Sequence, residues 1–280
     1  MTSEALGLSG KLCLIMSKLP PDIERLLLVM VEELSGHETV GVCLAGSYAR
    51  GDAASHSDVD LLRFMCSAPK TSAEEYGLQI RGGHLVSVTQ TTIKQKMDEL
   101  SRPELAIYVV PGLRQMNVLL DATGAIADLK AEAARFQWAS LQGDADEYAS
   151  FSLMGYAEEV HKVLSGLSRG DESTVQHGNL GLNLGLARAL VVRRGVLIES
   201  ENTFFRQAQD TAGRDSEWTR WFRLSSGFEA GPTDEPSFRT QGLAGLRLYV
   251  ETARLLRPVI RREHREVIDN ALGEIESLLL

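Results

Sequence analysis

Hydrophobic positions over the first 125 residues or so switch repeatedly between helical and strand spacing. Pro20, Pro21 and Asp22 suit a helix start, and Ile23, Leu26, Leu27, Met30, Val31 and Leu34 then recur at three- and four-residue intervals until Ser35-Gly36. That spacing predicts an amphipathic helix. Val40 to Ala45 is a short apolar run ending at Gly46, the pattern of a buried strand. Val59 to Met65 predicts a second strand, in which Asp60 interrupts an apolar segment. His84 to Thr89, preceded by the turn pair Gly82-Gly83, predicts a third strand, and Thr92 to Leu100 a helix capped by its threonine. Val118 to Gly124 reads as a further strand and turn. Strands interleaved with helices indicate an α/β domain.

Beyond Ala125 the strand rhythm stops. Helical periodicity runs through Ala127 to Trp138, Tyr148 to Leu167, Leu180 to Gly195, Gly242 to Leu256 and Val259 to Leu280. Gly227 to Thr240, with Gly231, Pro232 and Pro236, reads as a loop between helices. The pattern therefore predicts an α/β (α+β) domain with a small mixed sheet over 1–125 and an all-α helical bundle over 126–280.

Composition agrees with a two-domain globular chain: 280 residues, 44% hydrophobic and 24% charged. The net charge of −9 argues against a nucleic-acid partner, because such affinity comes largely from cationic side chains that displace counterions. A small-molecule partner, including a cationic one, fits better, and a homodimer is compatible with the composition. Cys13, Cys43 and Cys66 show no metal or disulfide spacing, no signal-peptide pattern opens the chain, and no run of 18 apolar residues occurs. These features predict a cytoplasmic protein without a membrane partner.

The candidate chemistry is concentrated in Gly46 to Leu62, GSYARGDAASHSDVDLL. Asp58 and Asp60, two apart at a strand start, point to one face and can share a metal cluster. Magnesium is expected, since it is usually bound by one or two carboxylates plus substrate phosphates. Gly46 permits a tight turn and a close backbone approach to phosphates, and Ser47 supplies N–H and hydroxyl donors. Arg50 can add a cation to the phosphate site, and Ser57 can cap the turn or touch a phosphate.

The pattern G-S-x-x-R-G-x(5)-S-D-x-D-L-L resembles the nucleotidyltransferases of the polymerase-beta superfamily, and within it the kanamycin and lincosamide nucleotidyltransferases. The resemblance implies a nucleotidyltransferase domain followed by a helical substrate-binding domain that walls off an acceptor cleft. It further implies transfer of a nucleoside monophosphate, AMP from ATP by default, to a hydroxyl of a small molecule, with one or two Mg²⁺ ions on Asp58 and Asp60. Many members carry a third carboxylate on the strand matching His84 to Thr89; this chain has none there. The kanamycin enzyme carries its general base on the first long helix of the helical domain, which points to Glu158 and Glu159 here, Glu159 being the choice. Adenylylation of a protein and nucleotide binding without turnover are the rival readings.

Other residues attract structural roles first. His84 at a strand start, Trp138, Trp218 and Trp221 at helical spacing, and Arg254, Arg257, Arg261, Arg262 and Arg265 interspersed with Glu263 and Glu266 are expected to serve as a structural histidine, core aromatics and a salt-bridged helix face.

Overall fold

A computed structural model describes residues 18–230 and 237–279. The chain forms two compact units. One holds the described residues up to Ser101 together with Tyr108–Gln137; the other holds Arg102–Ile107 and the described residues from Trp138 onward. The first unit contains a mixed five-stranded sheet with flanking helices, and the second is helical.

In the first unit, α1 (Pro21–Leu34) precedes β1 (Thr39–Leu44), the single-turn helix α2 (Gly46–Arg50) and β2 (Val59–Met65). Next come a short helix α3 (Ser72–Glu75), β3 (Tyr76–Arg81) and β4 (His84–Thr91). Helix α4 (Ile93–Leu100), α5 (Pro103–Gln115), β5 (Asn117–Asp121) and α6 (Ala125–Arg135) complete this stretch of chain, with α5 up to Ile107 belonging to the other unit. The sheet order is β3-β4-β2-β1-β5, with β2 and β4 parallel and the other neighbours antiparallel.

The two faces of the sheet are covered differently. Ile23, Leu27 and Met30 of α1 bury themselves against Val42, Leu44, Val59, Leu61, Val86 and Val88. The helical stripe read from the sequence supplies three of the ten buried residues of this core cluster. On the opposite face α6 packs over β1 and β5, where the Gly41 backbone lies against the Ile126 side chain. That face also bears Asp60 and Ser87, which stand level on β2 and β4.

Local chemistry explains several boundaries. Thr92 caps α4 reciprocally: its hydroxyl accepts from the Gln95 N–H at 3.1 Å, and Gln95 Oε1 accepts from the Thr92 N–H at 2.9 Å. His84 Nε2 pairs with Asp22 Oδ2 at 2.9 Å, fastening the start of β4 to the first turn of α1. The histidine is structural, as expected.

The helical unit contains α7 (Gln142–Gly155), α8 (Ala157–Arg169), α9 (Glu172–Arg194), α10 (Phe204–Ala212), α11 (Glu217–Ser225), α12 (Ser237–Leu256) and α13 (Arg265–Leu279). The periodicity over Tyr148 to Leu167 is two helices, not one, broken at Tyr156. Helical spacing survives because the break costs almost no residues. The last helix begins at Arg265, not Val259, after two 3-10 turns at Arg257–Val259 and Arg262–His264. Gly227 to Thr240 is only partly a loop, because α12 starts at Ser237; Gly231, Pro232 and Pro236 lie outside the described residues, as does Cys13.

Trp218 is fully buried, stacks on Phe222 at 5.1 Å and donates to Thr252 Oγ1 at 2.9 Å, so it is core. Arg254 pairs with Glu251 within its own helix and Arg261 with Glu147, so the basic run does not form the single salt-bridged face expected with Glu263 and Glu266. Among the described residues no helix is long and apolar enough to cross a membrane.

Candidate active site

The site is built where β1 ends and β2 begins. β1 and β2 are antiparallel neighbours, so the turn after Leu44 returns directly over the start of β2, and the Ala45 N–H donates to Asp60 O at 2.8 Å. Gly46 then adopts φ 62°, a left-handed conformation that side chains disfavour. A Cβ at this position would overlap Asp60 Oδ2. Only glycine lets the backbone pass against the carboxylate, and the two halves of the sequence motif therefore meet at one point.

Asp60 Oδ1 accepts a 2.7 Å hydrogen bond from Ser87 Oγ, a residue 4% exposed on β4. The carboxylate is thus held between a strand neighbour and the Gly46 backbone. Asp58 lies at the entrance to β2, partly exposed. Ser47 Oγ is buried and has no hydrogen-bond partner. A buried hydroxyl left unsatisfied costs on the order of 1–3 kcal/mol, so a hydrogen bond from Ser47 Oγ to an incoming group would be gained without breaking another.

Arg50 and Ser57 are engaged in the intervening loop. The Arg50 guanidinium reaches both carboxylate oxygens of Asp52, Nε at 3.2 Å and Nη2 at 3.1 Å. Asp52 is well exposed, and such a pair is weak in water, so Arg50 can exchange it for a phosphate at small cost. Ser57 Oγ accepts from the Ala54 N–H at 2.8 Å, which fixes the loop leading into Asp58.

The structure thus brings Gly46, Ser47 and Asp60 together, with Arg50, Ser57 and Asp58 on the adjoining turns. Glu159 belongs to the helical unit. Of the adjacent pair on α8, Glu158 is 75% exposed whereas Glu159 is 18% exposed. Glu159 Oε1 accepts from Lys162 Nζ at 2.8 Å, its side chain lies against Gly181 of α9, and its Oε2 is buried without a partner. Hydrogen bonds to Glu159, then to Glu158, raise the Lys162 pKa above its ordinary value.

Ser87 is the site residue that sequence reasoning missed. A serine in an apolar strand carries no signal until the β2–β4 register places it beside Asp60. Elsewhere, a cavity of about 640 Å³ at α10 and α11 is rich in arginines, but Arg214, Arg220 and Arg223 are each neutralised by Asp210, Glu217 and Glu229. It has the makings of a salt-bridged surface rather than of a reactive centre.

The donor set suits a hard divalent ion delivered with phosphates: two carboxylates and an unsatisfied hydroxyl, all oxygen. Among the described residues no group of three or more His, Cys, Asp or Glu side chains forms a self-sufficient metal site. Any ion held here must complete its shell from substrate oxygens and water.

Residues 23–89 match the nucleotidyltransferase domain family, a span that contains the turn, β1, β2 and β4 as far as Thr89. The match supports nucleotidyl transfer as the general activity. No curated protein matches the chain. Among solved structures, the crystal structure of a nucleotidyltransferase-like protein from Exiguobacterium sibiricum 255-15 is similar, with 16% identity and a TM-score of 0.47 over 89% of this chain and 77% of that one.

Proposed function

We propose that the protein transfers a nucleoside monophosphate from an NTP, ATP by default, to a hydroxyl of a small molecule, with release of pyrophosphate and with Mg²⁺. The observation that carries this reading is the closure of Gly46 over Asp60, which packs a phosphate-binding turn directly against a carboxylate.

Asp58 and Asp60 would hold the ion. The ion would supply positive charge to offset the negative charge that develops on the phosphates during transfer. The Gly46 and Ser47 N–H groups and the Ser47 hydroxyl donate to the phosphates. Arg50, leaving Asp52, adds a positive charge as pyrophosphate departs. Ser87 fixes the orientation of the Asp60 carboxylate by donating to Oδ1. The acceptor hydroxyl must lose a proton, and Glu159, with one desolvated oxygen lacking a partner, is the carboxylate of the helical unit chemically suited to take it.

Pyrophosphate release from each of four NTPs, screened against hydroxylated acceptors including aminoglycosides and lincosamides, tests the reading. Asp58→Ala and Asp60→Asn should each abolish release while the circular dichroism spectrum is unchanged; full activity in either variant overturns it. The Ser87–Asp60 hydrogen bond favours a second reading, nucleotide binding without turnover, because a neutral hydroxyl stands beside Asp60 on the strand where a third carboxylate is common. Calorimetric Mg·ATP binding with no turnover across the same panel would select it.

A further inference from the structure

The face of the sheet that carries Asp60 does not end at Ser87. β4 and β3 are antiparallel, with Leu78 opposite Ser87, Ile80 opposite Leu85 and Tyr76 opposite Thr89. Directly opposed residues share a face. Asp60, Ser87 and Leu78 therefore form one row across three strands, and Leu85-Ile80 and Thr89-Tyr76 form the rows on either side. The other face of β3 turns toward α1, where Arg81 is ion-paired with Glu33.

These apolar side chains are exposed: Tyr76 49%, Leu78 55%, Ile80 68% and Leu85 43%. α6 covers the Asp60 face over β1 and β5 but not here, and β3 is the sheet edge. With strands spaced about 4.8 Å apart, Leu78 lies roughly 10 Å from Asp60. That is the reach of one ring or a short alkyl chain.

We propose that Tyr76, Leu78, Ile80 and Leu85 form the acceptor subsite, and that the acceptor is an amphiphile whose apolar ring or alkyl group lies on this row while its hydroxyl extends toward Asp60. The inference rests on the nucleotidyl-transfer reading. Three features select this occupant. The row is continuous with the carboxylate face, where an acceptor oxygen must arrive. Ser87 and Thr89 lie on the inner strand β4 with the apolar Leu85, and the apolar Tyr76, Leu78 and Ile80 carry the face out to the open edge strand β3. The patch consists of four exposed apolar side chains, far fewer than the roughly 20–30 residues per partner that a stable protein interface takes.

The test uses the full chain and a matched pair of probes, octyl-β-D-glucoside below its micellar concentration and methyl-β-D-glucoside, which share their sugar hydroxyls and differ in the alkyl chain. With Mg·ATP present, the octyl compound should bind at least tenfold more tightly by NMR titration. Leu78→Ser combined with Ile80→Ser, both solvent-facing, should remove that difference while melting temperature and calorimetric Mg·ATP affinity stay as in the wild type. Equal binding of the two glucosides, an unchanged preference in the variant, or conversion of a dimer to a monomer by the two substitutions each overturns the proposal; the last would make the row a contact between copies. Failure of wild-type protein to bind Mg·ATP would sink the nucleotide reading separately, leaving the glucoside comparison to be judged as a binding result alone.

Discussion

Ser87 and Asp60 lie level on adjacent parallel strands, and the Ser87 hydroxyl donates a 2.7 Å hydrogen bond to Asp60 Oδ1. A carboxylate in place of Ser87 would face Asp60 at close range. Without a cation the two would repel, and with one they would form a larger ligand set. Ser87→Asp should therefore lose about 2 kcal/mol, or roughly 5 °C in melting temperature, in EDTA. Millimolar Mg²⁺ should restore most of it, whereas the wild type should respond little without nucleotide. If thermal unfolding of the variant is insensitive to Mg²⁺, Asp60 does not face a metal position.

Gly46 and Gly51 provide an internally controlled pair. Both have positive φ, 62° and 83°, so alanine at either pays a backbone cost of about 1–2 kcal/mol. A Cβ at Gly51 meets nothing, whereas one at Gly46 overlaps Asp60. Gly46→Ala should displace the carboxylate and weaken Mg·ATP binding at least tenfold, and Gly51→Ala should share only the stability loss. Calorimetry giving equal affinities for the two variants would separate the Gly46 turn from nucleotide binding.

Glu159 allows a kinetic test. Glutamine keeps the shape and still accepts from Lys162, but it cannot take a proton. Glu159→Gln should lower kcat about 100-fold or more, within the range general-base catalysis supplies, with KM for the NTP unchanged. An unaltered kcat in a steady-state assay would assign the residue to the Lys162 ion pair alone.

How far the sequence alone reaches can be judged element by element. α1, β1, β2, β4, β5 and the threonine cap of α4 were legible because each combines a clean period with a local stop signal. β3 was not: its apolar residues alternate, but both faces of the strand are exposed, so no buried face marks it ahead of the Gly82-Gly83 turn that joins it to β4. α5 was hidden by Pro111, which cannot donate to Ile107 O; that carbonyl instead accepts from the Ile198 N–H at 2.7 Å, a bond invisible from local pattern. The same limit applies at the site. Gly46, Ser47, Asp58 and Asp60 announce themselves by spacing, whereas Ser87 and the Leu78-Ile80 row depend on strand register.

Cys43 makes a pH-dependent contribution whose sign can be worked out. It lies buried on β1, and desolvation raises its thiol from 9.0 to about 12, partly opposed by Lys130. Below pH 9 the thiol is protonated in folded and unfolded chains alike, so stability does not depend on it. Between pH 9 and about 12 the unfolded chain releases a proton that the folded one retains, and stability falls as pH rises, by about 4 kcal/mol at most. Denaturant midpoints across this window should fall more steeply for the wild type than for Cys43→Ala, whatever the variant's absolute stability. The same burial makes the thiol a poor nucleophile. Iodoacetamide at pH 8 should label exposed Cys66 and leave Cys43 unmodified until the protein is denatured. Native-state labelling of Cys43 by peptide mass spectrometry would mean that β1 opens locally, and the Gly46 turn that depends on its position would then lack the fixed geometry assigned to it.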